Sequence, residues 1–302
     1  MKALRFHQYG GPEVLQIDDV PIPEPGSGEV LVRVSGSGVN PVDWKIREGH
    51  LKDSWPLQLP AIVSREFSGT VERLGEGVEG FSVGDEVYGI ADGSCADYLV
   101  AKVGDFALKP PSMDLPDSGG VPLAAMTAYQ ALFDHGGLQA GQKVLVHAAS
   151  GGVGSFAVQL AKWAGATVYG TASGNRLDSI EDMGVDVAID YKAQRFEDVA
   201  KDVDLVLDTV GGETADRSLA CLKPGGILVS TVGAEPKKEG IRNASFMMKP
   251  SKEQLEKISG LIQDLKVRPV IDAVVPLIRA VEAQKESQGG HIMGKLVVDV
   301  RR

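Results

Sequence analysis

The fold is decided by residues 147–154, which read His147-Ala148-Ala149-Ser150-Gly151-Gly152-Val153-Gly154. An apolar run at residues 144–148 precedes this stretch, and a helical pattern over residues 153–164 follows it. A glycine-rich turn between a buried strand and a helix is typical of a dinucleotide site. Gly151 lets the backbone approach a pyrophosphate, Gly154 lets the helix pack closely on the strand, and the helix N-terminus offers N–H groups to the phosphates. We take Ser150, Gly151, Gly152, Val153 and Gly154 as candidate cofactor contacts; the alternative is a tight turn without a ligand.

The patterns on either side of this turn divide the chain into two kinds of domain. Residues 143–230 alternate apolar strands with helices, which is typical of a parallel sheet covered on both faces. Residues 1–120 instead contain short apolar runs separated by Gly, Pro and Asp, which predicts a barrel-like β domain. The tail returns to a strand–helix–strand pattern. We therefore predict a doubly wound α/β domain over residues 121–267 and a β domain formed by residues 1–120 and 268–302.

The charge balance excludes several classes of partner. Among 302 residues, 31 Lys and Arg stand against 41 Asp and Glu, a formal net charge of −10. Nucleic acids and anionic membranes bind basic surfaces, so neither is an expected partner. No run approaches the ~20 apolar residues of a membrane span, and the first residues lack the apolar core of a signal peptide. We therefore expect a cytoplasmic protein.

The end of the second strand of the α/β domain indicates which nucleotide binds. A carboxylate there would hold the ribose 2′-hydroxyl of NAD, but residues 170–176 contain none. Ser173 can hydrogen-bond a 2′-phosphate, and Arg176 can pair with it as a forked donor. The sequence therefore predicts NADPH, with the alternative that Arg176 is a solvated residue in the first turn of a helix. Tyr191, after the third strand, is a candidate neighbour of the adenine or pyrophosphate end.

Further segments along the chain match a known family, and they lie at residues 1–3, 11–15, 38–43, 84–87, 148–154, 170–173, 208–212 and 294–297. Together they resemble the medium-chain dehydrogenase/reductase superfamily, and more narrowly its zinc-free quinone oxidoreductase and enone reductase branch. The resemblance covers nearly the whole chain. It implies a GroES-like β-barrel-type catalytic domain and a Rossmann cofactor domain with a doubly wound parallel sheet.

The resemblance also bears on zinc and on the reaction. Alcohol dehydrogenase relatives place a Cys where this chain has Asn40, and a Gly-His-Glu where it has Ser64-Arg65-Glu66. Neither Asn nor Arg is a serviceable zinc ligand, and one carboxylate does not make a site. We therefore expect no metal. Hydride transfer from NADPH to a quinone or an α,β-unsaturated carbonyl suits such a site, because the developing charge delocalises to an oxygen that hydrogen-bond donors stabilise.

Three residues are candidates for catalysis. Asn40 matches a position facing the nicotinamide or the substrate oxygen; alternatively it is a turn-forming Asn before a Pro. Lys45 stands where quinone oxidoreductases often have Tyr, and it can hydrogen-bond a substrate carbonyl or supply a proton; alternatively it is a solvated helix lysine. Thr127 matches the family threonine near the nicotinamide; alternatively it bonds its own helix backbone. Asp43 is expected to cap the helical turn that follows it.

The resemblance implies further cofactor contacts. Val210, Val232 and Gly233 follow parallel strands, where ligands bind in such folds, and would run along the nicotinamide ribose. Thr171 and Lys295 complete the predicted cofactor set. His147 is interpreted as a core residue and His291 as a loop residue.

Two segments concern recognition and assembly. Arg65 stands where the family commonly has a small residue or Asp, so we expect it to pair with Glu66 or Asp43, or to recognise an acidic substrate. Residues 244–248 have the pattern of a strand at the edge of the α/β sheet. Because an exposed edge invites pairing, we expect a homodimer through this Rossmann sheet edge.

Two other functions stay open at this point. One is a weakly catalytic relative that binds a nucleotide or RNA, although a net charge of −10 disfavours RNA because phosphate contacts need a cationic surface. The other is a zinc alcohol dehydrogenase, which the missing ligands disfavour.

Overall fold

The computed structural model describes residues 1–290 and 292–302, so the expectation for His291 lies outside the described residues. The described chain forms two compact units. The first contains Met1–Leu123, Pro250–Gln263 and Ile271–Arg302, and the second contains Ala124–Lys249 and Asp264–Val270.

The strands of the described chain are β1 (Lys2–Phe6), β2 (Leu15–Asp19), β3 (Glu29–Val39), β4 (Ala61–Ile62), β5 (Glu66–Leu74), β6 (Glu86–Ile90), β7 (Tyr98–Lys102), β8 (Phe106–Leu108), β9 (Lys143–Val146), β10 (Thr167–Ala172), β11 (Val187–Asp190), β12 (Val203–Asp208), β13 (Leu222–Ser230), β14 (Arg242–Ser245), β15 (Ile271–Pro276) and β16 (Lys295–Asp299). The α-helices are α1 (Pro41–Arg47), α2 (Leu115–Ser118), α3 (Pro122–Tyr129), α4 (Gly152–Trp163), α5 (Leu177–Asp182), α6 (Phe196–Val199), α7 (Gly212–Ser218), α8 (Lys252–Gln263) and α9 (Ala280–Gly289).

The second unit contains a parallel six-stranded sheet in the order β11-β10-β9-β12-β13-β14. In its central strand β9, Val144, Leu145 and Val146 have no solvent exposure. A strand this apolar requires cover on both faces, which the flanking helices provide. The strand order reverses around β9, so the carboxyl end of β9 is the switch point where open α/β sheets bind ligands. The predicted parallel sheet is confirmed.

The first unit is built on β strands. A mixed sheet runs in the order β15-β16-β3-β5-β6-β8, with β7 also paired to β3, and a smaller antiparallel sheet runs β2-β1-β4. Buried side chains such as Val32, Phe67 and Leu296 form one core. The long strand β3 lies between β16 and β5, and Leu296 of β16 faces Val39 of β3 in antiparallel register. The tail of the chain therefore completes the sheet of the first unit.

The position of α8 differs from the predicted boundaries. Residues 250–263 group with the first unit, although the sequence pattern assigns them to the α/β domain. The phenol oxygen of Tyr88 lies 3.0 Å from the backbone oxygen of Leu255, to which it donates, and 2.8 Å from the hydroxyl oxygen of Ser259. Periodicity identifies a helix and its apolar face, but it does not say against which sheet that face packs.

Candidate active site and nucleotide-binding turn

The turn between β9 and α4 has the geometry of a phosphate-binding turn. Gly151 caps α4 in an extended conformation with φ −82° and ψ −179°, and α4 starts at Gly152. A Cβ at Gly154 would lie 2.2 Å from the carbonyl oxygen of Ala148, so only glycine fits at that position. The helix therefore starts close to the strand with its first N–H groups unpaired by the helix itself, as a bound pyrophosphate requires.

The residues predicted to contact the 2′-phosphate lie beside this turn. Nη1 of Arg176 donates to Oγ of Ser150 at 3.4 Å, which joins the ends of β9 and β10. Ser173 begins the short helical turn that carries Arg176, and its hydroxyl donates to Oδ1 of Asn175 at 2.8 Å. A cationic fork, a hydroxyl and the glycine turn thus lie together in the second unit.

Three apolar or aromatic side chains mark the same edge of the sheet. Tyr191 is 54% exposed, Val210 53% and Val232 38%, and they follow β11, β12 and β13. Large apolar side chains exposed at strand ends indicate a ligand-binding surface.

Asp208, a buried carboxylate that the sequence analysis did not single out, stabilises the turns at Val210 and Val232. Oδ1 of Asp208 accepts the N–H of Val210 at 3.0 Å and the N–H of Gly211 at 2.8 Å. Its Oδ2 accepts the Ser230 hydroxyl at 2.9 Å, and Oγ of Ser230 accepts the N–H of Val232 at 3.2 Å. Gly233 follows with φ +82°, a conformation that favours glycine. The sequence feature that could have identified Asp208 is an acidic residue at the end of an apolar strand, just before a Gly-Gly turn.

Thr171 and His147 belong to the interior of the second unit. Oγ1 of Thr171 accepts the N–H of Ala148 at 3.2 Å and lies 3.2 Å from Nδ1 of His147, whose Nε2 lies 2.8 Å from Oγ of Ser218. Burial lowers the pKa of His147 to about 4, so the ring is neutral at physiological pH. His147 is a core residue, and the Thr171 hydroxyl is directed to the base of the turn. Thr127 lies in α3 and is 7% exposed.

The first unit contains a buried polar cluster of Asn40, Glu66 and Lys295, which we call the β3 cluster. Nζ of Lys295 lies 2.6 Å from Oε1 of Glu66 and hydrogen-bonds Oδ1 of Asn40. Nδ2 of Asn40 donates to the same Glu66 oxygen at 2.8 Å. All three residues are at most 3% exposed. They meet because β16 and β5 flank β3, so that the first residues of β16 and β5 lie beside the end of β3.

In the β3 cluster, Lys295 contacts protein side chains instead of the predicted cofactor position. The resemblance assigns Lys295 to the cofactor, whereas in the structure its ammonium group neutralises Glu66 and orients the Asn40 amide. Oε2 of Glu66 accepts the N–H of Leu123 at 2.8 Å. Sequence reasoning considered Glu66 as a zinc ligand or as a partner of Arg65, because nothing local to Glu66 indicates a lysine partner more than 200 residues away.

Asp43 is the third residue of α1, and its side chain caps the N-terminus of that helix. Its Oδ2 accepts the backbone N–H of Asn40 at 2.8 Å, while its buried Oδ1 has no partner among the described residues. Burial raises the pKa of Asp43 to about 7. Lys45, on the same helix, is half-buried and lies 5.6 Å from the Trp44 ring, outside the β3 cluster.

Arg65 pairs with neither of the two carboxylates expected from the sequence, Glu66 and Asp43. Its Nε donates to Oδ1 of Asp92 at 2.7 Å, and its guanidinium carbon lies 3.8 Å from the centre of the Trp55 ring. Its neighbour Glu66 is occupied by Lys295, which explains why Arg65 turns to Asp92.

Two other features are absent from the described residues. Within residues 1–290 and 292–302, no group of three or more His, Cys, Asp or Glu side chains is arranged to hold a metal ion. None of the helices in that part of the chain is long and apolar enough to cross a membrane.

A glycine turn at the switch point of a parallel sheet, with a cationic fork beside it, defines a class of protein that binds a nicotinamide dinucleotide. Comparison with known proteins places the chain more narrowly. Residues 26–132 match the family model "Alcohol dehydrogenase GroES-like domain" and residues 183–298 match "Zinc-binding dehydrogenase".

Individual relatives agree with these matches. An "NADPH-dependent alkenal/one oxidoreductase, chloroplastic" of Arabidopsis thaliana is 33% identical over 99% of this chain and 79% of its own length. The quinone oxidoreductase structure from Coxiella burnetii has a TM-score of 0.93 and 33% identity, covering 100% of this chain and 99% of its own. The Escherichia coli quinone oxidoreductase complexed with NADPH has a TM-score of 0.90 and 25% identity, covering 99% and 100%. The chain belongs to the medium-chain dehydrogenase/reductase superfamily, in its quinone oxidoreductase branch, and the predicted pairing of a GroES-like and a Rossmann domain is confirmed.

Proposed function

We propose that this chain is an enzyme that transfers hydride from NADPH to quinones or α,β-unsaturated carbonyl compounds without zinc. The observation that carries the proposal is the position of Nζ of Lys295, 2.6 Å from Glu66 and bonded to Asn40. Asn40 and Glu66 match positions at the zinc site of alcohol dehydrogenase relatives, and a protein cation, Lys295, already balances the carboxylate of Glu66. A site without a Lewis acid suits an acceptor whose developing charge is spread by conjugation.

The second unit fits the cofactor. The names of the Arabidopsis relative and of the Escherichia coli structure both include NADPH, in agreement with the nucleotide that Ser173 and Arg176 predict. NADPH, when bound, supplies the hydride from its nicotinamide ring. The glycine turn would hold the pyrophosphate, Ser173 and Arg176 the 2′-phosphate, and the turn at Val210 the nicotinamide ribose.

The first unit supplies hydrogen-bond donors for the acceptor oxygen. One N–H of the Asn40 amide is bonded to Glu66, and the second, which bonds no residue that the structure describes, would donate to a substrate oxygen. Lys295 fixes the amide, because its ammonium group can bond only the oxygen of Asn40. The ammonium group of Lys45 is a second donor and can supply a proton.

Strand β14 offers an edge for assembly. Strand β14 pairs with β13 on one side, and no described strand covers its other side. We propose that two copies pair through this edge to form a homodimer, which light scattering on the eluted protein would test. The proposed location is the cytoplasm.

The function is tested in two stages. Quenching of tryptophan fluorescence by NADPH and by NADH, measured separately, should give tighter binding of NADPH. Oxidation of NADPH is then followed with a quinone, with an enone and with the saturated ketone of the same skeleton, each with and without a chelator. We expect turnover of the first two acceptors only, unchanged by chelation. Tight NADPH binding without turnover of any quinone or enone would instead favour a weakly catalytic binding protein.

A further inference from the structure

A pocket in the first unit lies next to the β3 cluster. Its lining includes Asp43, Trp55, Leu57, Ser64, Arg65 and Asp92. Asp43 connects the pocket to the cluster, because its Oδ2 accepts the N–H of Asn40 at 2.8 Å and lies 3.5 Å from the Ser64 hydroxyl. The pocket therefore shares Asp43 with the segment that carries the proposed hydrogen-bond donor Asn40.

Arg65 lies at the wall of this pocket in contact with Trp55 and Asp92. The guanidinium group lies 3.8 Å from the centre of the Trp55 ring, and Nε donates to Asp92 at 2.7 Å. The side chain is 16% exposed. Its two terminal amino groups make no hydrogen bond to any residue that the structure describes. The Nε side of the guanidinium group is therefore paired with Asp92, and its two terminal amino groups have no hydrogen-bond partner among the described residues.

We propose that Arg65 is a specificity-determining residue that binds a carboxylate of the acceptor, so that this enzyme prefers enones or quinones that carry a negative charge. This inference rests on the proposed function. The planar end of a guanidinium group matches the two oxygens of a carboxylate, and stacking on Trp55 keeps that plane in place without occupying the donors.

The other charged groups of the pocket permit an anion there. Asp92 is 65% exposed, so it can turn to solvent when a substrate carboxylate approaches Arg65. Asp43 is buried, and burial raises its pKa to about 7, so a large part of the population is neutral at physiological pH. Lys295 balances Glu66. Arg65 is thus the cationic side chain among the described lining residues, and Asp92 competes with a substrate carboxylate for its guanidinium group.

The test compares two acceptors that differ only in charge. One is an acyclic enone with a carboxylate two methylenes from the double bond, and the other is its methyl ester. Arg65→Gln removes the charge, Arg65→Lys keeps the charge but loses the fork, and Asp92→Asn removes the competitor. Arg73→Gln is the matched control, because Arg73 pairs with exposed Glu24 and does not line the pocket. Affinity for NADPH is measured for every variant.

We expect kcat/KM for the carboxylate to fall about tenfold in Arg65→Gln, the lower end of the range for a charge-assisted hydrogen bond. Arg65→Lys should recover part of this loss, Asp92→Asn should raise kcat/KM for the carboxylate, and all variants should reduce the ester as the wild type does. Equal losses for both acceptors, or no loss in Arg65→Gln, would overturn the inference while turnover of the ester upholds the proposed function. Failure of the wild type to reduce either acceptor would overturn both.

Discussion

Replacement of Asp43 by Asn should stabilise the protein more at alkaline than at acidic pH. The carboxyl group is 3% exposed, and its Oδ1 has no partner among the described residues. Burial, the largest cause, raises its pKa from 3.8 to about 7. Between these two values the folded protein retains a proton that the unfolded chain has released, so the free energy of unfolding falls as the pH rises.

The size of the effect follows from the two pKa values. Each pKa unit corresponds to about 1.4 kcal/mol. The penalty from Asp43 is therefore about 4 kcal/mol at about pH 8.5 and about 2 kcal/mol at about pH 5, and it disappears below the ordinary pKa of the carboxyl group. An amide cannot ionise but still accepts the N–H of Asn40, at a cost of about 1 kcal/mol for the weaker acceptor. Relative to wild type, Asp43→Asn should thus gain about 2–3 kcal/mol between these two pH values.

Urea unfolding at both pH values measures the prediction, with tryptophan fluorescence as the probe, since Trp44 and Trp55 report on the first unit. Asp53→Asn is the matched control, because Asp53 is exposed in the same unit and should show no pH-dependent difference. A difference between Asp43→Asn and wild type that is the same at both pH values would refute the reasoning, as would a relative loss of stability at alkaline pH.

Three further predictions concern binding and stability. Arg176→Gln should weaken NADPH binding about tenfold or more and leave NADH binding nearly unchanged, since a charge-assisted pair is worth about 1.5–3 kcal/mol; equal losses in the two fluorescence titrations would contradict a 2′-phosphate contact. Lys295→Met should lower the free energy of unfolding by about 3–5 kcal/mol, because Glu66 stays buried without its cation; a loss below about 1 kcal/mol on urea unfolding would count against a buried ion pair. Gly154→Ala should abolish tight NADPH binding, because a Cβ would lie 2.2 Å from a backbone carbonyl oxygen, whereas Gly260→Ala meets no atom within 4 Å and should bind normally.

The features that the sequence analysis predicted correctly each depend on residues that are close together in the sequence. The glycine turn, the strand before it and the helix after it occupy consecutive residues, and short-range sterics impose Gly154 whatever the rest of the chain does. The candidate site was found only in part. Asn40 and Lys295 were both singled out, but the resemblance gave them separate roles, and Glu66, which joins them, was considered as a zinc ligand or as a partner of Arg65. The side-chain pairing of Arg65 with Asp92 was also missed.

The amino-acid sequence by itself determined the class of fold, the place of the nucleotide-binding turn and the absence of a carboxylate at residues 170–176, because each depends on the pattern of neighbouring residues. Only the tertiary structure decided which charges meet. The order β16-β3-β5 brings Lys295 to Glu66 and Asn40, and burial alters the acidity of Asp43. The physical reason is that strand order and solvent exclusion depend on contacts between distant segments. The strength of a charge interaction in turn depends on how far those contacts exclude solvent from the charged groups.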